Sequence, residues 1–329
     1  MQNIRVKSLD VLKGILIVFV VLGHVAIGLD GTKHYSGMEQ AIINYTTQFI
    51  YSFHMPAFFA ISGFLFFNKN SKNIKEFRRS IIYRLITLGI PYIICSLLYW
   101  ILKFSMNGIV EKPINISSLL LTPIKPIEFF WFIYALMIIY IIIDAMIGLI
   151  HNKTIIFILL LIFSLITYIY SFNIPIARYV LKDAVYFYLG YVMAQNIDKI
   201  RKRYVIVTSL AILIIGNVIF YNFIGVKILT AFAGSIFVVA TAIAFERFSK
   251  DTFIGKIGRN TMLIYLTHVI FVGGTRTILF RMNIYNLYIN ILLGMLVTTI
   301  GSAVVWAAAK KIPALDFIFY PNKYIKYKR

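Results

Sequence analysis

The sequence is poor in charge. Asp, Glu, Lys and Arg make up 14% of its 329 residues, where an average soluble domain carries about 25%. Acidic residues are scarcest: 12 Asp and Glu stand against 33 Lys and Arg, a formal charge of +21. Cys95 is the one cysteine, which excludes an intramolecular disulfide and any cysteine-cluster metal site. There is no HExxH segment and no run of clustered carboxylates, so no metal is called for. Low-complexity segments and obvious internal repeats are missing as well. The basic start at Arg5 and Lys7 leads into an apolar run too long for a signal h-region, and we read that run as a retained first span.

Apolar residues fill the space that charge leaves: 60% of the chain is hydrophobic and 16% aromatic. Several runs reach the roughly 20 residues that cross a bilayer. Backbone polar groups in lipid need internal partners, which makes helices the default. The runs are also too long and too uniformly apolar for the alternating strands of a membrane barrel. Ten stretches read as spanning helices: 9–29, 42–67, 80–102, 127–150, 154–171, 176–195, 204–221, 225–246, 257–280 and 286–309.

Charge sets their orientation. With the N-terminus in the cytoplasm, segments 1–8, 68–79, 151–153, 196–203, 247–259 and 310–329 hold 22 of the basic residues, and the opposite side holds six. The basic excess therefore reads as topology rather than nucleic-acid binding. The expected fold is all-α: a polytopic membrane protein of about ten transmembrane helices, both termini cytoplasmic. It is expected to form one domain over 1–329, with a bundle over about 8–310 and a basic cytoplasmic tail at 311–329. The longest outer loop, about 103–126, contains Pro113, Pro123 and Pro126 and is too short to be a folded domain.

Ionisable residues inside such spans are costly and are candidates for function. Lys13 and His24 lie eleven residues apart in LDVLKGILIVFVVLGHVAIGL, residues 9–29. Eleven steps of about 100° return to within about 20° of one helix face, with a rise of about 16 Å. Asp10 shares that face and is placed to pair with Lys13. The plain alternative is a snorkelling lysine and a histidine bonded inside the bundle. The second span reads FHMPAFFAISGFLFF over 53–67, with His54, a mid-helix Pro56 that removes a backbone donor, and Ser62-Gly63. This segment is either a cavity wall or a bent packing helix. Next come Lys69, Lys72, Lys75, Arg78, Arg79 and Arg84. A cytoplasmic loop explains the lysines. Arg84 falls in the next apolar run, and its planar donor fork suits a phosphate, such as that of a nucleotide cofactor. Glu128, Trp131-Phe132, Arg178, Lys182, Asp183, His268 and Arg276 are further polar or amphipathic points, each open to a role as an ion pair or interface anchor.

In this order the residues resemble the acyltransferase-3 family of integral membrane acyltransferases, from about residue 8 to 310. Lys13 and His24 fit its pattern of a basic residue, ten others and histidine, with lysine in place of the commoner arginine. FFAISG at 58–63 fits its Phe-x-x-Ser-Gly element, although Met55 stands where the family often has glycine. FHMP is similar to the branch of bacterial sugar and exopolysaccharide O-acetyltransferases. WF at 131–132 and IYLTH at 264–268 also resemble family positions. The family's Arg-x-x-Arg before a proline is altered here to Arg78, Arg79 and Arg84, with Pro91 seven residues further on.

The resemblance implies transfer of an acyl group, acetyl by the commoner family habit, from cytosolic acetyl-CoA to a hydroxyl of a cell-surface or lipid-linked glycan, in the cytoplasmic membrane of a bacterium. Acetyl-CoA is a co-substrate, and no cofactor is tightly bound. Membrane lipid, acyl-CoA and the glycan are the expected partners, without nucleic acid. His24 is implied as general base, since neutral imidazole can take a hydroxyl proton near neutral pH. Lys13 is implied to contact donor phosphates or to orient the site, and Arg78, Arg79 and Arg84 to hold the CoA phosphates. His54, Ser62, His268 and Trp131 are implied near the substrate, orienting the thioester or steadying its oxyanion. The alternative is a transporter or flippase of polysaccharide intermediates that needs no base.

Overall fold

The computed structural model describes residues 7–106, 113–170, 172–219, 223–246 and 252–325. Every regular element among them is helical, with no strand. The basic start at Arg5, part of the expected outer loop (107–112) and the end of the basic tail (326–329) lie outside the described residues.

Among the described residues, helices occupy all ten stretches expected to span, and seven of them are long and apolar enough to cross a membrane. These are Lys7–Asp30, Gly37–Lys69, Ile74–Ser105, Glu128–Leu149, Ile224–Phe245, Thr261–Arg281 and Leu287–Lys311. The other three lie outside that set by length and composition alone. Lys153–Ile169 and Arg203–Ile219 have 17 residues each as described, about 26 Å of helix against a hydrocarbon core of about 30 Å. Pro175–Gln195 has 21 residues but carries Arg178, Lys182 and Asp183. Boundaries also move, and the third stretch starts at Ile74 rather than 80. The second helix starts at Gly37 rather than 42. Residues 257–259 belong to a separate short helix, Phe253–Arg259, which Asn260 divides from the next.

The chain divides into two compact units. In the first, the helices that matter are α1 (Lys7–Asp30), α2 (Gly37–Phe66, up to Phe64), α11 (Ile224–Phe245), α12 (Phe253–Arg259), α13 (Thr261–Arg281) and α14 (Leu287–Lys311, up to Ala307). Helix α1 is held along its length. Glu246 caps its start, accepting from the backbone N–H of Lys7 (3.1 Å) and Ser8 (3.2 Å) and from the Ser8 hydroxyl. A carboxylate there satisfies orphan N–H groups and complements the helix dipole. At the other end, Arg276 Nη1 of α13 donates to Gly28 O (2.6 Å). Val21, Val25, Ala26 and Leu29 join Ile43, Val272 and Leu287 in one buried cluster.

Between these ends α12 meets α1 backbone against backbone. A methyl at Gly258 would lie 1.6 Å from the Asp10 carbonyl oxygen, and one at Gly14 would lie 2.3 Å from that of Ile254. Close helix approach of this kind requires the smallest residue.

The second unit contains α3 (Ile74–Arg84), a π-helical turn (Leu85–Gly89), α4 (Ile90–Ser105), α6 (Trp131–Leu149), α7 (Lys153–Ile169) and α8 (Pro175–Gln195, up to Tyr191), with the short α5 (Ile116–Leu120) in the connection after α4. The buried Asp144 of α6 accepts from both the backbone N–H and the hydroxyl of Ser71, each at 2.7 Å. That carboxylate pins the basic segment before α3.

Gly258→Ala is expected to destabilise by at least the 1–3 kcal/mol, roughly, of an overpacked core, because the obstructing atoms are backbone and cannot rotate away. A melting midpoint in detergent equal to that of the parent would contradict this. Asp144→Ala removes hydrogen bonds worth about 1.5–3 kcal/mol each and is expected to speed trypsin cleavage at Lys69 and Lys72, read by limited proteolysis.

Candidate functional site

Three helices of the first unit bring ring side chains to one place. His24 projects from α1, Tyr51 and His54 from adjacent turns of α2, and His268 from α13. The His24 and His268 rings lie 4.9 Å apart at 57°. Tyr51 stands edge-on to both its neighbours, 6.2 Å from His24 and 4.7 Å from His54. His54 and His268 are buried at 1% and 0% exposure, while His24 is half-buried. Local geometry supports the grouping: Tyr51 and His54 are three residues apart and share a helix face. Gly23 lets Tyr51 approach, since a methyl there would meet the Tyr51 ring at 3.0 Å and Ile50 at 3.1 Å.

Both buried imidazoles are tethered to their own helices. His54 Nδ1 lies 2.6 Å from Ile50 O, and His268 Nδ1 lies 2.7 Å from Tyr265 O and 3.2 Å from Ile264 O. These contacts occupy one nitrogen of each ring and fix its orientation.

The other expected residues are placed as follows. Lys13 forms an ion pair with Asp10 at 2.8 Å, about 16 Å along α1 from His24. Ser62 donates to Phe58 O at 2.8 Å, some 12 Å along α2 from His54. Arg78, Arg79, Arg84 and Trp131 belong to the second unit. Arg78 and Arg79 are exposed on α3. Arg84 is buried, with its guanidinium 3.6 Å from the Tyr140 ring centroid and further from Tyr83 (5.4 Å) and Phe66 (5.9 Å). It has no carboxylate partner among the described residues, and a π-helical turn follows it directly. Trp131 opens α6 stacked on Tyr179 at 4.4 Å.

The structure therefore brings His24, His54 and His268 together, keeps Lys13 and Ser62 apart from them along their helices, and collects the arginines and Trp131 in the other unit. Glu128 pairs with Lys103, Lys182 lies over Tyr168 at 5.6 Å, and Arg276 anchors α1, so these act as contacts within the fold. Tyr51, Tyr140 and Tyr179 were not singled out by sequence. Tyr51 carried a usable signal, three residues before His54. Tyr140 and Tyr179 carried none, because their partners are distant in the chain. Among the described residues no group of three or more His, Cys, Asp and Glu side chains is arranged to hold a metal ion.

The nodulation protein NolL of Mesorhizobium japonicum (strain LMG 29417 / CECT 9101 / MAFF 303099) is 32% identical over 148 residues, which is 44% of this chain and 36% of that protein. The chain thus spans little over a third of the length of this curated relative. No solved structure matches. A family model described as an acyltransferase domain matches residues 6–307, and the chain, whose regular elements are all helical among the described residues, belongs to the acyltransferase-3 family.

Proposed function

We propose that this protein is a membrane-bound O-acyltransferase that moves an acetyl group from cytosolic acetyl-CoA to a hydroxyl of a cell-surface or lipid-linked glycan. The observation that carries this reading is the half-buried His24, grouped with two tethered imidazoles in a chain of an acyltransferase family. A hydroxyl is a poor nucleophile until a base removes its proton, and His24 is the imidazole of the cluster with solvent access. His54 and His268 line the substrate's position beside it.

Donor recognition falls to the cations. Arg78 and Arg79 are exposed and free to meet CoA phosphates, while Arg84 is preorganised by its stack on Tyr140. Lys13, held by Asp10, supplies a further positive group on the His24 face of α1. Trp131, stacked on Tyr179, offers an apolar platform for a sugar or acyl group. The topology that fits these roles has ten crossings of a bacterial cytoplasmic membrane with both termini cytoplasmic, supported by the 22-to-6 division of basic residues.

His24→Ala is expected to lower O-acetylation by about 10²–10⁴-fold, the usual contribution of a general base, measured by mass analysis of surface glycans from cells expressing the full chain. Intact acetylation overturns the enzyme reading, and loss of the glycan itself, rather than of its acetyl groups, points to transport. Arg84→Lys keeps the charge and loses the planar fork. The expected result is about a tenfold rise in KM for acetyl-CoA with kcat nearly kept, read with the purified protein.

A further inference from the structure

Helices α1, α12, α13 and α14 of the first unit leave a groove of about 150 Å³ between them, separate from the ring cluster. Contacts along its walls fix which way it runs. At one end α12 meets α1 at Gly14, where Ile254 O leaves no room for a methyl, and at the other Gly294 of α14 meets Val25 of α1. Helices α13 and α14 are joined by residues 282–286 and touch where Thr267 faces Ser302 at 3.4 Å. They therefore run antiparallel, and the start of α13 lies toward Trp306. Phe253, Lys256, Asn260 and Trp306 thus form one end of the groove, and Val21 and Met295 the other.

Its dimensions and lining suit hydrocarbon. Along α14 the groove extends from Met295 to Trp306, about 16 Å of helix. One leaflet of a bilayer is about 15 Å deep, half of the roughly 30 Å core. Ile17, Val21, Ile264 and Met295 make the walls apolar. The groove opens sideways, since Val18, Phe253 and Ala303 line it and are exposed. Beyond it the surface of α14 stays apolar and exposed at Leu296, Ile300 and Val304. Helix α14 is long and apolar enough to cross a membrane. Such a surface meets lipid, and an apolar groove open to lipid excludes water.

The polar end suits a headgroup. Lys256 is exposed, and among the described residues no carboxylate is paired with it. Trp306 stands with it. A cation attracts anionic headgroups, and tryptophan favours the depth at which headgroups lie. A phospholipid carries both complements at the right separation: a phosphate at one end and a chain that reaches the bilayer midplane.

We propose that this groove binds one anionic phospholipid of the surrounding membrane, an acyl chain lying between α1, α13 and α14 and the headgroup phosphate on Lys256. The proposal is independent of the reading of His24 as base. It bears on the same helices, because Val21 stands three residues before His24 and Ile264 four before His268. A chain packed there braces α1 and α13 one turn from each ring.

Native mass spectrometry of the purified full-length protein in detergent tests this, with phosphatidylglycerol and phosphatidylcholine of identical chains as probes. One phosphatidylglycerol per protein is expected to bind about fivefold more tightly than phosphatidylcholine, the usual effect of one lysine near an anionic headgroup. Lys256→Gln is expected to erase that preference. Lys199→Gln, which removes an exposed lysine of the same unit outside the groove, is expected to keep it. Ala303→Phe fills the groove and is expected to abolish the tight adduct of either lipid. Equal affinities in the parent, a preference that survives Lys256→Gln or is lost in Lys199→Gln, or a tight adduct that survives Ala303→Phe overturns the proposal. So does a lipid-free dimer, or a preference for an isoprenoid phosphate over phosphatidylglycerol. If Ala303→Phe fails to fold, vesicles containing chain-brominated lipids decide. Trp306 fluorescence, isolated as the difference between the parent and Trp306→Phe, is expected to be quenched at about a fivefold lower mole fraction of the brominated phosphatidylglycerol than of the brominated phosphatidylcholine. Equal quenching by the two overturns the proposal.

Discussion

Helix α1 has to carry a lysine, an aspartate and a histidine through an apolar unit, and it can do so because its neighbours touch its backbone. Where α12 crosses, Gly14 and Gly258 leave no room for a methyl on either side. Further along, Gly23 admits Tyr51, and Gly28 admits the Arg276 guanidinium that donates to its carbonyl. On α14, Gly294 has Val25 within 3.0 Å of where a methyl would sit. Each glycine weakens the helix by up to about 1 kcal/mol in propensity, and tertiary packing offsets that cost. The result is a rail with fixed height and rotation, from which Lys13 and His24 are presented on one face.

The same unit shows how polar side chains are kept in an apolar interior. Most bond to a carbonyl three or four residues back on their own helix. Ser62 uses Phe58 O, Thr267 uses Leu263 O, Thr275 uses Phe271 O and Ser235 uses Ala231 O. The two buried histidines follow that rule, and for them it has a chemical consequence that it lacks for serine or threonine. A hydroxyl that donates to the helix retains lone pairs of little basicity. An imidazole that donates to the helix is left with a basic nitrogen. Helical self-satisfaction therefore orients His54 and His268 with Nε2 as the acceptor of the neutral ring.

Sequence made much of this legible, and its failures have definite causes. The shared face of Lys13 and His24 and the pairing of Asp10 with Lys13 follow from helix periodicity, and the ion pair forms as expected. The helical character of ten apolar stretches follows from composition. Where each helix begins does not: Asn152 caps the start of Lys153–Ile169 by accepting from Thr154 and Ile155. The approach of His268 to His24 joins residues 244 positions apart, and nothing local encodes it. The burial of Arg84 against Tyr140 was hidden for the same reason. Its place in an apolar run was visible, and its aromatic platform was not.

Separation along α1 gives these parts a common logic. Lys13 and His24 are about 16 Å apart on a straight helix, so no single small group touches both. An acyl-CoA is not small: its phosphates and its thioester sit at opposite ends of a long flexible arm. On the reading proposed above, a cation low on one face and a base higher on the same face match such a donor, with charge recognised at one end and chemistry done at the other, and binding energy gathered at the phosphates would be spent on holding the thioester against His24. This arrangement works only if α1 neither rotates nor slides, since one residue of rotation, about 100°, would carry both groups off the face. On that reading the glycine contacts that fix α1 to α12 and α2 would belong to the reaction's geometry as much as to the fold's stability.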